Sequence, residues 1–184
     1  MTAVQIVNIL GGLTMSISNN DILIRVRYAM DIKDTDMVEV FKLGGIEVTK
    51  EEMRKMLTKS KNSYHDEADN DYEITCNNIM LESFLNGFIT FKRGKQDPKP
   101  GQPDRQVMSL KNNESVNNLI LKKLKIALAL TSEDMLDILE DVGVMVTKGE
   151  LSALLRKEGH KNYKECGDRY ARNFLKGLAV KYRG

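Results

Sequence analysis

Residues 20–59 read NDILIRVRYAMDIKDTDMVEVFKLGGIEVTKEEMRKMLTK, and residues 118–157 read NLILKKLKIALALTSEDMLDILEDVGVMVTKGELSALLRK. The two stretches align without a gap at a constant offset of 98 residues (118 minus 20). Identical aligned pairs include Asn20 and Asn118, Met37 and Met135, Gly45 and Gly143, Thr49 and Thr147, and Glu52 and Glu150. A chain that repeats itself in this way is built from copies of one structural unit. The repeat therefore predicts two tandem copies of a single module.

The alignment resumes further along, where residues 76–94 match residues 166–184 at an offset of 90 residues (166 minus 76). Both stretches carry the pattern C-x7-F-L-x-G-x5-R-G. The offset changes because residues 60–75 contain an acidic, polar insertion, which we expect to form a mobile loop. The two cysteines occupy the same repeat position, so each is expected in the core of its own copy. Unpaired cysteines of this kind are typical of a reducing, intracellular compartment.

The rest of the chain divides around the two copies. We expect the first copy to span residues 15–94 and the second to span residues 116–184, joined by a linker over residues 95–115 that holds all three prolines. Residues 1–14 are apolar, but they lack the basic segment and cleavage site of a signal peptide. They are therefore expected to be a tail or extension, with Met15 as the start of the protein proper. No apolar run approaches the ~20 residues that a membrane-spanning helix needs.

Four helices are predicted in each copy. The first is expected from about Asn20 to Ile32, with Asn as its N-cap, and the second from a cap at Asp34 to a left-handed glycine at Gly45. In the second copy the corresponding helices are expected over Asn118 to Leu130 and from Ser132 to Gly143. Alternation typical of strands does not persist over any length. The predicted fold class is therefore all-α, with two tandem copies of a roughly four-helix module.

The third and fourth helices carry the clearest local signals. Thr49-x-x-Glu52 and its aligned counterpart Thr147-x-x-Glu150 are capping boxes, which begin a helix by satisfying backbone N–H groups reciprocally. The fourth helix is expected to begin near Cys76 in the first copy and near Cys166 in the second. Gly87 and Gly177 lie in the middle of this helix, where glycine costs about 1 kcal/mol relative to alanine. We therefore expect a neighbouring helix to cross closely there.

Catalytic signatures are absent from the sequence, which has no glycine-rich phosphate loop, no G-x-S-x-G and no C-x-x-C. We predict no catalytic residue, cofactor or metal ligand. One polar segment in the second copy could nevertheless line a small-molecule pocket between the copies, through His160, Asn162, Tyr163, Cys166 and Asp168. Cys166 beside a histidine and an aspartate resembles an activated nucleophile. The competing interpretation is that Asn162 or Asp168 caps the fourth helix and Tyr163 packs on it.

The charge is distributed unevenly between the copies. Residues 1–94 hold 11 Lys and Arg against 14 Asp and Glu, whereas residues 95–184 hold 17 against 12. The last helix carries four basic residues that fall within about 60° of each other at 100° per residue, namely Arg169, Arg172, Lys176 and Arg183. A similar basic edge lies on the first helix of the second copy, formed by Lys122 and Lys125. Such a face can neutralise phosphates, contact an acidic protein or simply be solvated. The first functional hypothesis is therefore a non-enzymatic helical interaction module, with an acidic protein or nucleic acid as its partner.

Four segments together resemble the YehS-like family of uncharacterised bacterial proteins. They are NDILIRVRYA at residues 20–29, EVFKLGGIEVT at 39–49, SFLNGFITFKRGK at 83–95 and HKNYKECGD at 160–168. The resemblance implies a cytoplasmic bacterial protein made of two tandem copies of a helical domain of unknown function. It implies no catalytic residues. A membrane partner is not expected. A homodimer is an alternative, in which the two copies pair between chains instead of within one.

Overall fold

The computed structural model describes residues 17–60, 72–95, 97, 100–101 and 115–184. Within these residues the chain forms eight helices, four in each copy. They are α1 Asn19–Met30, α2 Asp34–Leu43, α3 Lys50–Met56, α4 Asn78–Arg93, α5 Val116–Ala127, α6 Ser132–Glu140, α7 Lys148–Leu155 and α8 Asp168–Arg183. The described part of the chain has no strand beyond one isolated antiparallel bridge between Lys59 and Tyr72. The predicted all-α fold of two four-helix copies is confirmed. The centre of the acidic insertion and most of the proline-containing linker lie outside the described residues.

The glycine that ends α2 has the predicted conformation. Gly45 has a φ of 91°, and its N–H donates to the carbonyl oxygen of Lys42 at 2.9 Å. The next N–H, of Ile46, reaches back to the carbonyl oxygen of Phe41 at 3.0 Å. This pair of bonds is the Schellman motif, which satisfies the last carbonyl groups of a helix. Gly143 in the second copy ends α6 in the same way, with a φ of 81°.

Both capping boxes are present as predicted. The hydroxyl of Thr49 accepts from the Glu52 N–H at 3.0 Å, and the Glu52 carboxylate accepts from the Thr49 N–H at 2.8 Å. Thr147 and Glu150 repeat the arrangement in the second copy at 3.1 Å and 2.9 Å. Together these bonds satisfy four backbone N–H groups that would otherwise lack a partner at the beginning of a helix.

The predicted caps of the first and second helices were wrong by one or more residues. Ser18 caps α1, and Ser115 stands at the start of α5, because the two asparagines predicted as caps are turned inward and buried. Lys33 precedes α2, which leaves Asp34 inside the first turn. Thr131 rather than Ser132 caps α6. The fourth helices begin two residues after the cysteines, at Asn78 and Asp168.

The mid-helix glycines mark close crossings, as predicted. A methyl group on Gly87 of α4 would lie 1.8 Å from the carbonyl oxygen of Val40 in α2. A methyl group on Gly177 of α8 would lie 2.4 Å from the carbonyl oxygen of Ile138 in α6. The repeat aligns these two crossings with each other, and only glycine leaves room for the facing backbone.

The two copies pair through their first and last helices. α1 of the first copy lies against α8 of the second, and α4 lies against α5, whereas α1 and α4 of the same copy meet only briefly. Arg183 donates to the carbonyl oxygen of Tyr28 at 3.2 Å, and the aligned Arg93 donates to the carbonyl oxygen of Ile126 at 3.4 Å. Matching contacts in both directions define a pseudo-twofold interface within one chain. Buried residues of both copies form one continuous core.

Candidate functional site

A buried asparagine at the same position of each copy fixes the segment that precedes the fourth helix. In the second copy, Asn118 donates to the carbonyl oxygens of Leu154 and Lys164, both at 2.9 Å, and accepts from the Cys166 N–H at 2.8 Å. In the first copy Asn20 bonds in the same way to Met56, Ile74 and Cys76, over 2.7 to 2.9 Å. Each amide thus joins the first helix of its copy, the end of the third helix and the segment before the fourth helix. The asparagine thus holds each cysteine in a fixed backbone position.

The structure divides the polar segment at residues 160–168 into two separate groups. His160 is exposed, and its Nδ1 accepts from the Asn162 N–H at 3.1 Å in a tight turn that also holds the half-buried Tyr163. Asp168 lies in the first turn of α8, where its carboxylate accepts from the Asn117 amide at 2.8 Å. Asn162 is exposed and caps no helix, since Gly167 precedes α8. Among the described residues, no hydrogen bond joins His160 to Cys166.

Both thiols are shielded from solvent and uncharged. The side chain of Cys166 is 2% exposed, and that of Cys76 is 1% exposed. The pKa of each thiol is raised to about 12, mainly by burial, and at Cys166 the nearby Asp168 carboxylate contributes to the rise. A thiol with such a pKa holds almost no thiolate at neutral pH, and the thiolate is the reactive species. Neither cysteine is therefore an activated nucleophile in this conformation.

The basic face predicted on the last helix forms a stripe on α8 that faces away from its core-facing side. Ala171, Phe174, Leu175, Gly177 and Leu178 form the buried side of that helix. The opposite side presents Arg169, Arg172, Lys176 and Arg183, which we call the α8 stripe. Arg172 is half-buried and the other three are exposed. At 1.5 Å per residue the stripe is about 21 Å long. It contains no acidic residue between its two ends.

The end of the α8 stripe is joined to the first copy. The guanidinium of Arg183 lies 4.4 Å from the ring centroid of Tyr28 and donates to the Asp31 carboxylate at 3.1 Å. Tyr28 is on the outer side of α1 and is 58% exposed. The sequence did not single out this tyrosine, because the repeat places isoleucine at the aligned position 126. The signal that could have identified Tyr28 was the difference between the copies, because the aligned residue, Ile126, is aliphatic.

Lys122 and Lys125 are half-buried on α5. They align with Ile24 and Arg27 of the first copy. They lie on a different helix from the α8 stripe, so the predicted basic surface draws on two helices.

The middle of the corresponding face in the first copy is closed. Glu82 and Asn86 of α4 align with Arg172 and Lys176 of α8, yet their exposed fractions are 0% and 2%. The ends of that face, Ile79 and Arg93, are exposed. The shared scaffold therefore covers the centre of this helix face in the first copy and leaves the cationic centre accessible in the second.

A separate feature is an open depression of about 490 Å³ in the first copy, between α2 and the start of α3. Its lining consists of Val38, Lys42, Glu47, Val48, Thr49 and Glu52. Thr49 and Glu52 are already engaged with each other in the capping box. Within the described residues, no group of three or more His, Cys, Asp and Glu side chains is arranged to hold a metal ion.

These observations define a duplicated, all-α protein whose copies pair pseudo-symmetrically and differ in one exposed basic helix face. The chain belongs to the family described as "Protein of unknown function (DUF1456)", whose model matches residues 19–94 and 117–184. It is 38% identical over 164 residues to the "Uncharacterized protein YehS" of Escherichia coli (strain K12), an alignment that covers 89% of this chain and 95% of that protein. The resemblance read from the four sequence segments is confirmed. No solved structure matches the chain. None of the helices described is both long and apolar enough to traverse a lipid bilayer.

Proposed function

We propose that this protein is a non-enzymatic helical interaction module and that the α8 stripe binds an anionic partner, either a nucleic acid or an acidic protein. The observation that carries the proposal is the contrast between the two fourth helices. Residues shared by the copies serve the fold as caps, crossings and core, whereas Arg169, Arg172 and Lys176 of the stripe align with Ile79, Glu82 and Asn86 in the first copy. The two free, buried thiols support a site of action in a reducing compartment such as the cytoplasm.

The stripe has the charge and exposure that such binding requires. Arg169 and Lys176 are exposed and form no ion pair among the described residues. Their charges therefore remain available to a ligand. Arg169 and Lys176, each neutralising one phosphate, give a slope of about −1.4 for log K against log salt on a single strand, and about −1.8 on a duplex. Binding should accordingly be strongest at low ionic strength and should fall with added salt.

The test is a gel shift with total RNA and with duplex DNA at low salt. The triple variant Arg169→Glu, Arg172→Glu, Lys176→Glu is expected to abolish any shift. A matched control reverses three exposed lysines of the first copy, Lys42, Lys50 and Lys59, and makes the same change in net charge. Since these lysines lie in α2, in α3 and just after α3, rather than on α8, the control should retain the shift. Circular dichroism of both variants verifies that each one is folded.

The outcomes separate the possible partners. A shift that is lost in the stripe variant and kept in the control supports a nucleic-acid partner. If neither nucleic acid shifts, an acidic polypeptide such as polyglutamate is tested in the same way, and its capture by wild type but not by the stripe variant supports an acidic protein. Failure of all three polyanions at low salt overturns the proposal, as does equal binding by the stripe variant and the wild type.

The alternative function, a small-molecule site near His160 and Cys166, has less support. The imidazole of His160 faces solvent within its own turn, and Cys166 is enclosed. We expect the native protein to react with a thiol reagent such as DTNB only as fast as it unfolds, and both thiols to react at once in denaturant. Rapid labelling of Cys166 in the native protein would revive the pocket hypothesis.

A further inference from the structure

We infer that the anionic partner of the α8 stripe is a single-stranded nucleic acid, one of whose bases stacks on Tyr28. This inference rests on the proposed function and adds the class of ligand. It follows from the position of Tyr28, whose ring lies at the C-terminal end of the stripe. The last cation of the stripe, Arg183, lies against an exposed aromatic ring rather than in open solvent.

Three contacts hold the Tyr28–Arg183 pair together across the interface between the copies. Arg183 Nη1 donates to the Tyr28 carbonyl oxygen at 3.2 Å and to Asp31 at 3.1 Å, and the guanidinium covers the ring at 4.4 Å. Both hydrogen bonds use the same nitrogen, so Nε and Nη2 have no acceptor among the described residues. The pair is thus fixed in place and still presents donors and aromatic surface to a ligand.

Aromatic and guanidinium planes beside a cationic track are the features by which proteins bind single strands. The phosphates of a strand follow the track, and unpaired bases stack on the ring. In a duplex the faces of the bases are already stacked on each other, so the ring adds nothing along its length. The stripe alone would bind both forms, whereas Tyr28 favours the single strand. An acidic polypeptide has no flat bases and gains nothing from the ring.

Neither copy alone contains this arrangement. Tyr28 comes from α1 of the first copy and the stripe from α8 of the second. The pseudo-equivalent place, where Arg93 meets α5, has Ile126 in the position of the tyrosine. On the neighbouring α4 face, Glu82 and Asn86 are buried. The duplicated scaffold thus offers a matched internal control for the proposed site.

The experiment measures fluorescence anisotropy of the full-length protein with a labelled poly-dT oligonucleotide of about 20 nucleotides, longer than most single-domain sites, and with a duplex of equal length. We expect wild type to prefer the single strand. Tyr28→Ala should weaken single-strand binding roughly 5- to 160-fold and leave duplex binding unchanged, since stacking of one base is of that size. Tyr28→Phe keeps the ring and should bind within about 2-fold of wild type.

Two controls keep the test specific. Tyr182→Ala removes an aromatic side chain of similar exposure, 43%, on another side of α8, and Ile126→Ala alters the matched position of the second copy. Neither should change binding. The Tyr28→Ala variant retains the hydrogen bonds of Arg183, because these go to a backbone carbonyl and to Asp31. Its folding is checked by urea unfolding.

The possible failures are distinguishable. If no polyanion binds, the proposed function itself is overturned. If the protein binds duplex as tightly as single strand, or if Tyr28→Ala binds the single strand as wild type does, the inference about the ligand fails and the basic stripe stands as a general anion-binding surface. If only an acidic polypeptide binds, the inference fails as well.

Discussion

Replacing Asn118 with alanine should destabilise the protein more than almost any other single truncation of a polar side chain. The amide makes three hydrogen bonds of 2.8 to 2.9 Å, of which two are buried and the one to Lys164 is partly buried. Each bond contributes about 0.5–1.5 kcal/mol net, and the loss of the amide also leaves the Leu154 carbonyl and the Cys166 N–H buried without this partner. The expected loss in the free energy of unfolding is therefore about 3–5 kcal/mol. This is a large share of the ~5–15 kcal/mol that holds a typical domain together.

Urea unfolding followed by circular dichroism measures this loss, with Asn20→Ala as the equivalent change in the first copy. Both variants should lose a similar amount, since the two networks share their geometry. Asn19→Ala serves as the control, because its side chain makes one exposed bond to Asn78 at 2.8 Å. That variant should lose less than about 1 kcal/mol. Asn118→Asp tests polarity directly, as it keeps the shape but directs a carboxylate at two carbonyl oxygens.

The reasoning is refuted if Asn118→Ala loses no more than the Asn19→Ala control. It is also refuted if Asn118→Asp is as stable as wild type at neutral pH, because packing rather than hydrogen bonding would then account for the burial of the amide.

Three further predictions follow from local geometry. Ala129, two residues after the end of α5, has a φ of 51°. Ala129→Gly should therefore raise the free energy of unfolding by about 1 kcal/mol in thermal or urea melts, and the absence of a gain would contradict the strain. Gly177→Ala gains about 1 kcal/mol of helix propensity, but the added methyl group would lie 2.4 Å from the Ile138 carbonyl oxygen. We therefore expect the free energy of unfolding to fall by about 1–2 kcal/mol. A variant more stable than wild type would contradict the close crossing. The hydrogen bond from Arg54, aided by nearby cations, lowers the pKa of Asp34 below its usual 3.8. The folded pKa therefore lies below the unfolded one, so the carboxylate stabilises the protein fully above about pH 4 and loses that effect as the pH falls through the lowered value. The test compares the free energies of unfolding of wild type and Asp34→Asn at several pH values. The difference should be about 1 kcal/mol or less near neutrality and should shrink on acidification. A difference independent of pH would show that the charge is not responsible.

Much of the local structure was predictable because it depends on neighbours in sequence. Thr49 and Glu52 lie three residues apart, and the bonds that they form need nothing beyond one turn of helix. Gly45 takes a positive φ at the end of α2 for the same local reason. The caps of the first helices were mispredicted since a buried asparagine and a capping asparagine look identical in sequence. The same residue type at the aligned positions 20 and 118 was the signal that both asparagines have one structural role.

The candidate surface was only half predictable. Helical periodicity placed Arg169, Arg172, Lys176 and Arg183 on one face, and the structure leaves that face open. Periodicity could not connect Tyr28 with Arg183, which lie 155 residues apart in the chain. It also could not show that His160 and Cys166, six residues apart, are separated by the turn around Asn162.

By itself, the sequence determined that this protein is helical, duplicated and punctuated by caps and glycines at matching places, because these properties depend on residue type and short spacing. Only the tertiary structure decided that the copies pair α1 with α8 and α4 with α5. The two fourth helices share a pattern, yet Glu82 is enclosed on one and the aligned Arg172 is half-exposed on the other. Which face of a helix is covered depends on neighbours brought together from distant parts of the chain, and a local pattern holds no information about them.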